Sequence, residues 1–214
     1  MIAAVVFDLD GVIVDSEVVW ERVRRGYVAD HGGRWPDDAQ HRLMGMSTPE
    51  WAAYLATEFD IAGLDPKAVA EDVVSAMAHE YTRHLPLIDG AAETAHAVAG
   101  RWPVAVASSS PPRLIEVVLA TIGLDVPWVS SEQVARGKPF PDVYLAAVGR
   151  LGLSPAECAA VEDSSNGLRS AHAAGTRVVA VPRPEYPPAP DALALAALTV
   201  HDIRELTVER LAAL

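Results

Sequence analysis

Val5-Val6-Phe7-Asp8-Leu9-Asp10-Gly11-Val12 is the stretch around which the chain is organised. The apolar, β-branched run from Ala3 to Phe7 predicts a short buried strand. Two aspartates one residue apart follow it, then a glycine. In an open parallel sheet, ligands bind just beyond the carboxyl ends of the strands, so Asp8 and Asp10 stand where such a sheet does its chemistry. The chain must bend there for both carboxylates to reach one place, and Gly11 makes that bend easy. Taken alone, the octapeptide also fits a strand followed by a solvated acidic turn. The rest of the chain decides between the two.

Downstream, the pattern is first helical. Glu17 to His31 predicts a helix that Ser16 or Asp15 could cap and Gly32-Gly33 stops. A short helix is expected after Pro36. Ser47-Thr48-Pro49-Glu50 has the spacing of a capping box with proline in the first turn, opening a helix that carries Trp51, Tyr54, Leu55 and Phe59 to an apolar contact. Asp65-Pro66 opens another, to about Arg83. From Leu85 onward strand and helix alternate. Strands are expected at Val104 to Ala107, Trp128-Val129, Ala159 to Val161 and Val178 to Val181. Helices are expected from Pro111-Pro112 to Ile122, from Phe140-Pro141-Asp142 to Leu151, and from Asn166 to Ala174. Pro182 to Pro190 reads as a loop. Alternation of this kind means a parallel sheet with helices on its faces. The expected fold is therefore α/β: a Rossmann-like parallel-sheet core, residues 1–15 and 85–214, with an inserted helical-bundle cap domain, residues 16–84. Short connections near Val14-Asp15 and Leu85-Pro86 would let the insert close as a lid.

Three more strand ends carry polar groups. Ser108-Ser109-Ser110 precede a helix, where hydroxyls and backbone N–H groups make an anion site. Gly137-Lys138-Pro139 holds a cation at a fixed place. Val161-Glu162-Asp163 sets adjacent carboxylates after a buried strand, a donor set suited to a hard cation such as Mg²⁺. The acidic groups would repel a phosphate: a like-charge pair at about 4 Å costs roughly 4 kcal/mol at an effective dielectric of 20. Lys138 and a divalent cation would make the site habitable.

Composition narrows the partners. The 214 residues are half hydrophobic and carry a net charge of −12. That balance argues against nucleic acid, which needs basic surfaces, and leaves room for a small phosphorylated ligand at a local site. Cys158 is the only cysteine, so no intramolecular disulfide or thiolate metal cluster can form, and it reads as a small helix or core residue. No apolar run approaches the roughly 20 residues of a membrane span, and the N-terminus carries no basic or cleavable leader. A cytoplasmic protein is expected. The seven histidines show no metal-ligand spacing. Trp20, Trp51 and Met46 read as cap core, and Arg24 with Arg25 as a solvated helix face, one of which could meet a substrate carboxylate.

Asp-x-Asp-Gly, a serine, Gly-Lys-Pro and Glu-Asp, each after a successive strand, resemble the haloacid dehalogenase superfamily, in the branch with a helical cap that includes β-phosphoglucomutase and the phosphoglycolate-phosphatase-like enzymes. The resemblance covers essentially the whole chain. It implies that Asp8 is a nucleophile forming an aspartyl phosphate and that Asp10 is the general acid and base. It further implies that Ser108 and Lys138 hold the phosphoryl group, with Ser109 beside them, and that Asp8, the Asp10 carbonyl, Glu162 and Asp163 bind Mg²⁺. The cap loop Gly45-Met46-Ser47-Thr48 would contact the substrate. The dehalogenases lack the second aspartate, so Asp10 implies phosphoryl chemistry. A Lys-Asn pair, a cap arginine and a cap histidine of β-phosphoglucomutase are replaced by Pro111-Pro112, Thr48 and Trp20. These departures point to a phosphatase acting on a small phosphorylated metabolite such as a sugar phosphate or phosphoglycolate. The alternatives are a sugar phosphate mutase and a non-catalytic phosphometabolite-binding protein. A monomer or weak homodimer is expected.

Overall fold

A computed structural model of the protein describes residues 1–214 apart from Met44, Gly45, Asp60, Ala62 and the side chain of His41. The described chain divides into two compact units, Met1–Asp15 with Pro86–Leu214, and Ser16–Leu85.

The first unit opens with β1 (Ala4–Phe7), every residue of which is buried. The helical unit follows in the chain, with α1 (Glu17–Asp30), α2 (Ala39–Leu43), α3 (Thr48–Glu58) and α4 (Pro66–Arg83). The first unit then resumes with α5 (Ala91–Ala99), β2 (Val104–Ser108), α6 (Pro112–Ile122), β3 (Trp128–Ser130), α7 (Asp142–Leu151), β4 (Cys158–Glu162), α8 (Ser165–Ala174) and β5 (Arg177–Ala180). Short elements close it: α9 (Pro190–Leu193), β6 (Leu198–Thr199) and α10 (Val208–Ala212). The strands form one six-stranded sheet in the order β3-β2-β1-β4-β5-β6, parallel at every pairing. This is the Rossmann-like α/β core expected from the alternation.

Both faces of the sheet are covered, as parallel sheets require. Ala4 and Val6, Ala105 and Ala107, Cys158 and Ala160, and Val178 and Ala180 alternate along their strands and pack against Tyr144 and Ala147 of α7 and Leu168 and Ala171 of α8. The intervening residues Val5, Phe7, Val104, Val106, Ala159, Val161 and Val179 are buried too. Cys158 is thus a core residue of β4, with a free thiol. Because β1 lies between β2 and β4, three polar strand ends are neighbours at the sheet's carboxyl edge. No helix among the described residues is long and apolar enough to cross a membrane.

The helical unit builds its own core from Val28, Trp51, Leu55, Phe59, Val69, Val73, Met77 and Tyr81, all nearly inaccessible. Glu50 accepts from the Ser47 backbone N–H at 2.8 Å, the reciprocal contact of the expected capping box, and also from the Ser47 hydroxyl at 2.6 Å. Two readings are corrected. Ser16 precedes α1 but makes no capping hydrogen bond through its side chain, because it is itself buried in αR geometry. Arg24 is only 5% exposed, while Arg25 is exposed: the indoles of Trp20 and Trp51 enclose Arg24. Helix α5 and strand β6 were not expected from the sequence.

Candidate active site

Asp8 continues the ladder of β1, its N–H donating to the Val161 carbonyl at 2.9 Å. The chain then turns sharply. Gly11 N–H donates to the Val14 carbonyl at 2.8 Å, and Ile13 and Val14 N–H groups both reach the Leu9 carbonyl. Gly11 has φ +80°, and a Cβ there would stand 1.9 Å from Asp163 Oδ2. Glycine is required twice over, by the backbone conformation and by the acid that packs on it.

Lys138 enters from the loop before α7. Phe140 N–H donates to the Gly137 carbonyl at 3.0 Å, closing a turn with Lys138 and Pro139 at its corners. The ammonium lies 2.8 Å from Asp8 Oδ1 and 2.6 Å from Glu162 Oε1, and all three side chains are buried. Burial by itself would lower the Lys138 pKa; the Asp8 and Glu162 carboxylates outweigh it and hold the group above its ordinary value. Glu162 ends β4, fully inaccessible. Its Oε1 also accepts from the Tyr144 hydroxyl at 2.8 Å. Its Oε2 accepts from the Asp163 and Ser164 N–H groups at 3.1 and 3.3 Å and from the Ser164 hydroxyl at 3.2 Å. Tyr144 was not singled out from sequence; on a helix beside a strand it reads as a core aromatic, and only the tertiary contact reveals its polar end.

Asp10 sits apart from this cluster through its side chain. Its Oδ2 accepts from the Ser108 hydroxyl at 3.2 Å and the Ser110 hydroxyl at 2.7 Å. Ser110 N–H donates to Ser108 Oγ at 2.9 Å, and Ser130 Oγ donates to the Ser110 carbonyl at 2.7 Å. Ser110 is therefore the further residue that touches Asp10, while Ser109 is exposed. In the helical unit, Met46, Ser47 and Thr48 lie at and before the start of α3; Gly45 lies outside the described residues.

Asp8, Glu162 and Asp163 each offer a carboxylate oxygen, and these lie within 4.8 Å of one another. Burial first, then repulsion from Glu162, push the Asp8 and Asp163 pKa values well above the ordinary carboxylate range, and Lys138 opposes the rise only in part. An all-oxygen donor set whose negative charge Lys138 relieves only in part fits a hard divalent cation. Glu162 has both oxygens occupied by internal donors, so Asp8 and Asp163 are its more available ligands.

A parallel sheet with acids at the end of its central strand, and serine, lysine and acid pairs at the flanking loops, defines the class. Residues 2–175 match the family model of haloacid dehalogenase-like hydrolases, and the chain belongs to that family of enzymes. The chain is 33% identical over 186 residues to fructose-1-phosphate phosphatase YqaB of Escherichia coli (strain K12), covering 84% of this chain and 96% of that protein. It is 31% identical over 220 residues to hexitol phosphatase B of the same organism, covering 98% and 96%. Among solved structures, CbbY from Rhodobacter sphaeroides in complex with phosphate matches with a TM-score of 0.84, 25% identity and 96% of each chain. A putative β-phosphoglucomutase from Thermotoga maritima matches with a TM-score of 0.76, 27% identity and the full length of both.

Proposed function

We propose that the protein is a Mg²⁺-dependent phosphatase that hydrolyses a small phosphorylated metabolite, a sugar phosphate or a phosphoglycolate-like acid, through an aspartyl-phosphate intermediate. The observation that carries this reading is the division of labour between two aspartates separated by a single residue. Asp8 is held by Lys138 among acids, whereas Asp10 is held by two serine hydroxyls. The relatives named above, phosphatases of a sugar phosphate and of hexitol phosphates by their names, support the same class of reaction.

Asp8 attacks phosphorus, forming the O–P bond as the ester O–P bond breaks. Asp10 gives its proton to the departing oxygen, then takes one from the water that cleaves the acyl phosphate, so that one difficult displacement becomes two. Ser108 and Lys138 hold the equatorial oxygens. Asp8, Asp163 and the Asp10 backbone carbonyl would hold Mg²⁺, with Glu162 joining if an internal donor gives way. When bound, the ion would neutralise phosphoryl charge. Glu162 fixes Lys138. The helical unit, residues 16–84, serves as a cap that selects the substrate, with Met46, Ser47, Thr48 and Gly45 as its contact loop. Pro111-Pro112 and Thr48, in place of cations for a second phosphate, favour transfer to water over mutase chemistry.

The test is phosphate release from a chromogenic ester. Wild type should turn over with Mg²⁺ and stop with chelator. Asp8→Asn, which removes a nucleophile and a metal ligand at nearly constant volume, should lose at least about a thousandfold in kcat while remaining folded. Robust turnover by Asp8→Asn would sink the covalent mechanism.

A further inference from the structure

The polar end of a core aromatic meets the acid that holds Lys138. Tyr144 lies in α7, the helix that follows the Lys138 loop, and is fully buried against the sheet. A phenylalanine would fill the same space, and a hydroxyl brought into an apolar core is unfavourable unless it is hydrogen-bonded. The Tyr144 hydroxyl donates to Glu162 Oε1 at 2.8 Å, the same oxygen that accepts from the Lys138 ammonium at 2.6 Å. The donors on Oε2 belong to Asp163 and Ser164, the next residues along the chain from Glu162. Tyr144 therefore ties the carboxylate to a different element. Its ring also flanks the cation, with Lys138 Nζ 5.2 Å from the centroid, inside the range of a cation–π contact.

Lysine is a point charge on a flexible stem, so its aim depends on its anchors. Those of Lys138 are Asp8 Oδ1 at 2.8 Å and Glu162 Oε1. In the reaction set out above, Asp8 loses its charge when it becomes the acyl phosphate, and its pull on the ammonium weakens. Glu162 is unchanged throughout, and the Tyr144 hydroxyl keeps Oε1 in place while Lys138 bears on the phosphoryl oxygens. We propose that Tyr144 is a positioning residue: its hydroxyl fixes Glu162, and through Glu162 keeps the Lys138 ammonium aimed at the phosphoryl group in both displacements. This inference rests on the phosphatase reading and adds to it a residue that acts through another side chain.

Tyr144→Phe keeps the ring and removes the hydroxyl. On a chromogenic ester with Mg²⁺ it should lower kcat/KM by at least about tenfold while the protein stays folded. Lys138→Met should cost more, and adding Tyr144→Phe to it should cost less than about twofold further, because the hydroxyl acts through the lysine. A purely structural Tyr144 would give equal losses in both backgrounds. That result, or wild-type turnover by Tyr144→Phe, overturns the proposal. A second measurement needs no turnover. Lys67 and Lys138 are the only lysines of the chain; Lys67 is exposed and the Lys138 side chain is buried. Labelling with nitrogen-15 lysine therefore gives two ammonium signals, which Lys138→Met assigns. In wild type without metal, the Lys138 ammonium should exchange with water at least about tenfold more slowly than that of Lys67, and Tyr144→Phe should remove most of that protection. A wild-type Lys138 that exchanges like Lys67, or protection that survives Tyr144→Phe, overturns the proposal. If Lys138→Met leaves no measurable turnover, the exchange rates decide. If wild type turns over no ester, the phosphatase reading fails instead, and the exchange rates still show whether Tyr144 holds the lysine.

Discussion

Two hydroxyls aim at one oxygen of Asp10, and they are not equivalent. Ser110 Oγ is closer at 2.7 Å, and Ser108 Oγ stands at 3.2 Å with its own oxygen accepting from Ser110 N–H. If Asp10 is the acid and base, Ser110 orients it, while Ser108 stands ready to turn toward the phosphoryl group. Ser110→Ala should therefore lower kcat by about tenfold, the loss of one hydrogen bond to a charged group, with KM little changed. Steady-state kinetics on a chromogenic ester checks it; a rise in KM at constant kcat would make Ser110 a substrate contact instead. Three consecutive serines after a strand announce an anion site, but not which of them faces inward. That choice is made by Ser130 and Asp10, which come from other strands. The burial of Arg24 was illegible for a similar reason: hydropathy marks arginine as surface, and only the meeting of Trp20 with Trp51 encloses it.

At the level of elements, the start of α8 joins stability to chemistry. A Cβ on Gly167 would stand 1.9 Å from the carboxyl carbon and both oxygens of Glu162. Intrinsic propensity favours Ala over Gly inside a helix by about 0.8–1 kcal/mol. Gly26 of α1 has nothing within 4 Å of such a Cβ, so Gly26→Ala should stabilise by about 0.5–1 kcal/mol. In Gly167→Ala the contact overrides the propensity, because Glu162 must swing away from Lys138. This variant should melt lower than wild type and lose at least about tenfold in turnover, since an ångström of misplacement is felt that strongly. Calorimetry and kinetics on the pair decide; a stabilised, active Gly167→Ala would show that Glu162 does not position Lys138. Most elements were legible because each had a start or stop signal: Asp65-Pro66 for α4, Pro111-Pro112 for α6, Gly175 after α8. The alanine-rich α5 was missed although Gly90 and Gly100 bracket it, because its short run of alanines carries little apolar periodicity, and the two-residue β6 lacks such marks altogether. The four polar strand ends were legible because a parallel sheet fixes their neighbourhood once the strands are found.

For the whole molecule, the buried acid cluster adds its own pH-dependent contribution to stability. Asp8 and Asp163 have folded pKa values raised by burial and then by Glu162. Between the unfolded carboxylate value, about 4, and those raised values, the folded protein binds protons that the unfolded chain has released. The cluster's contribution to stability is thus greatest at low pH and falls as pH rises through this window. Without metal, Asp163→Asn should melt higher than wild type at pH 7, with the gap closing toward pH 4. Millimolar Mg²⁺ should raise the wild-type melting temperature more at pH 7 than at pH 5, and do little for Asp163→Asn. Scanning calorimetry in chelator and in Mg²⁺ measures this, and an equal Mg²⁺ gain at both pH values would count against the cation site.

The pairing of β1 carries a consequence for biosynthesis. Its residues bond to Val104–Val106 on one side and Cys158–Val161 on the other, so the strand bearing Asp8 leaves the ribosome about 100 residues ahead of its first partner. At translation rates of about 5–20 residues per second, that is a wait of roughly 5–20 seconds. Ser16–Leu85 is contiguous in sequence and can gather its helices in the meantime. Val5-Val6-Phe7 cannot pair until the later strands arrive, so this short apolar segment stays without its sheet partners through that interval.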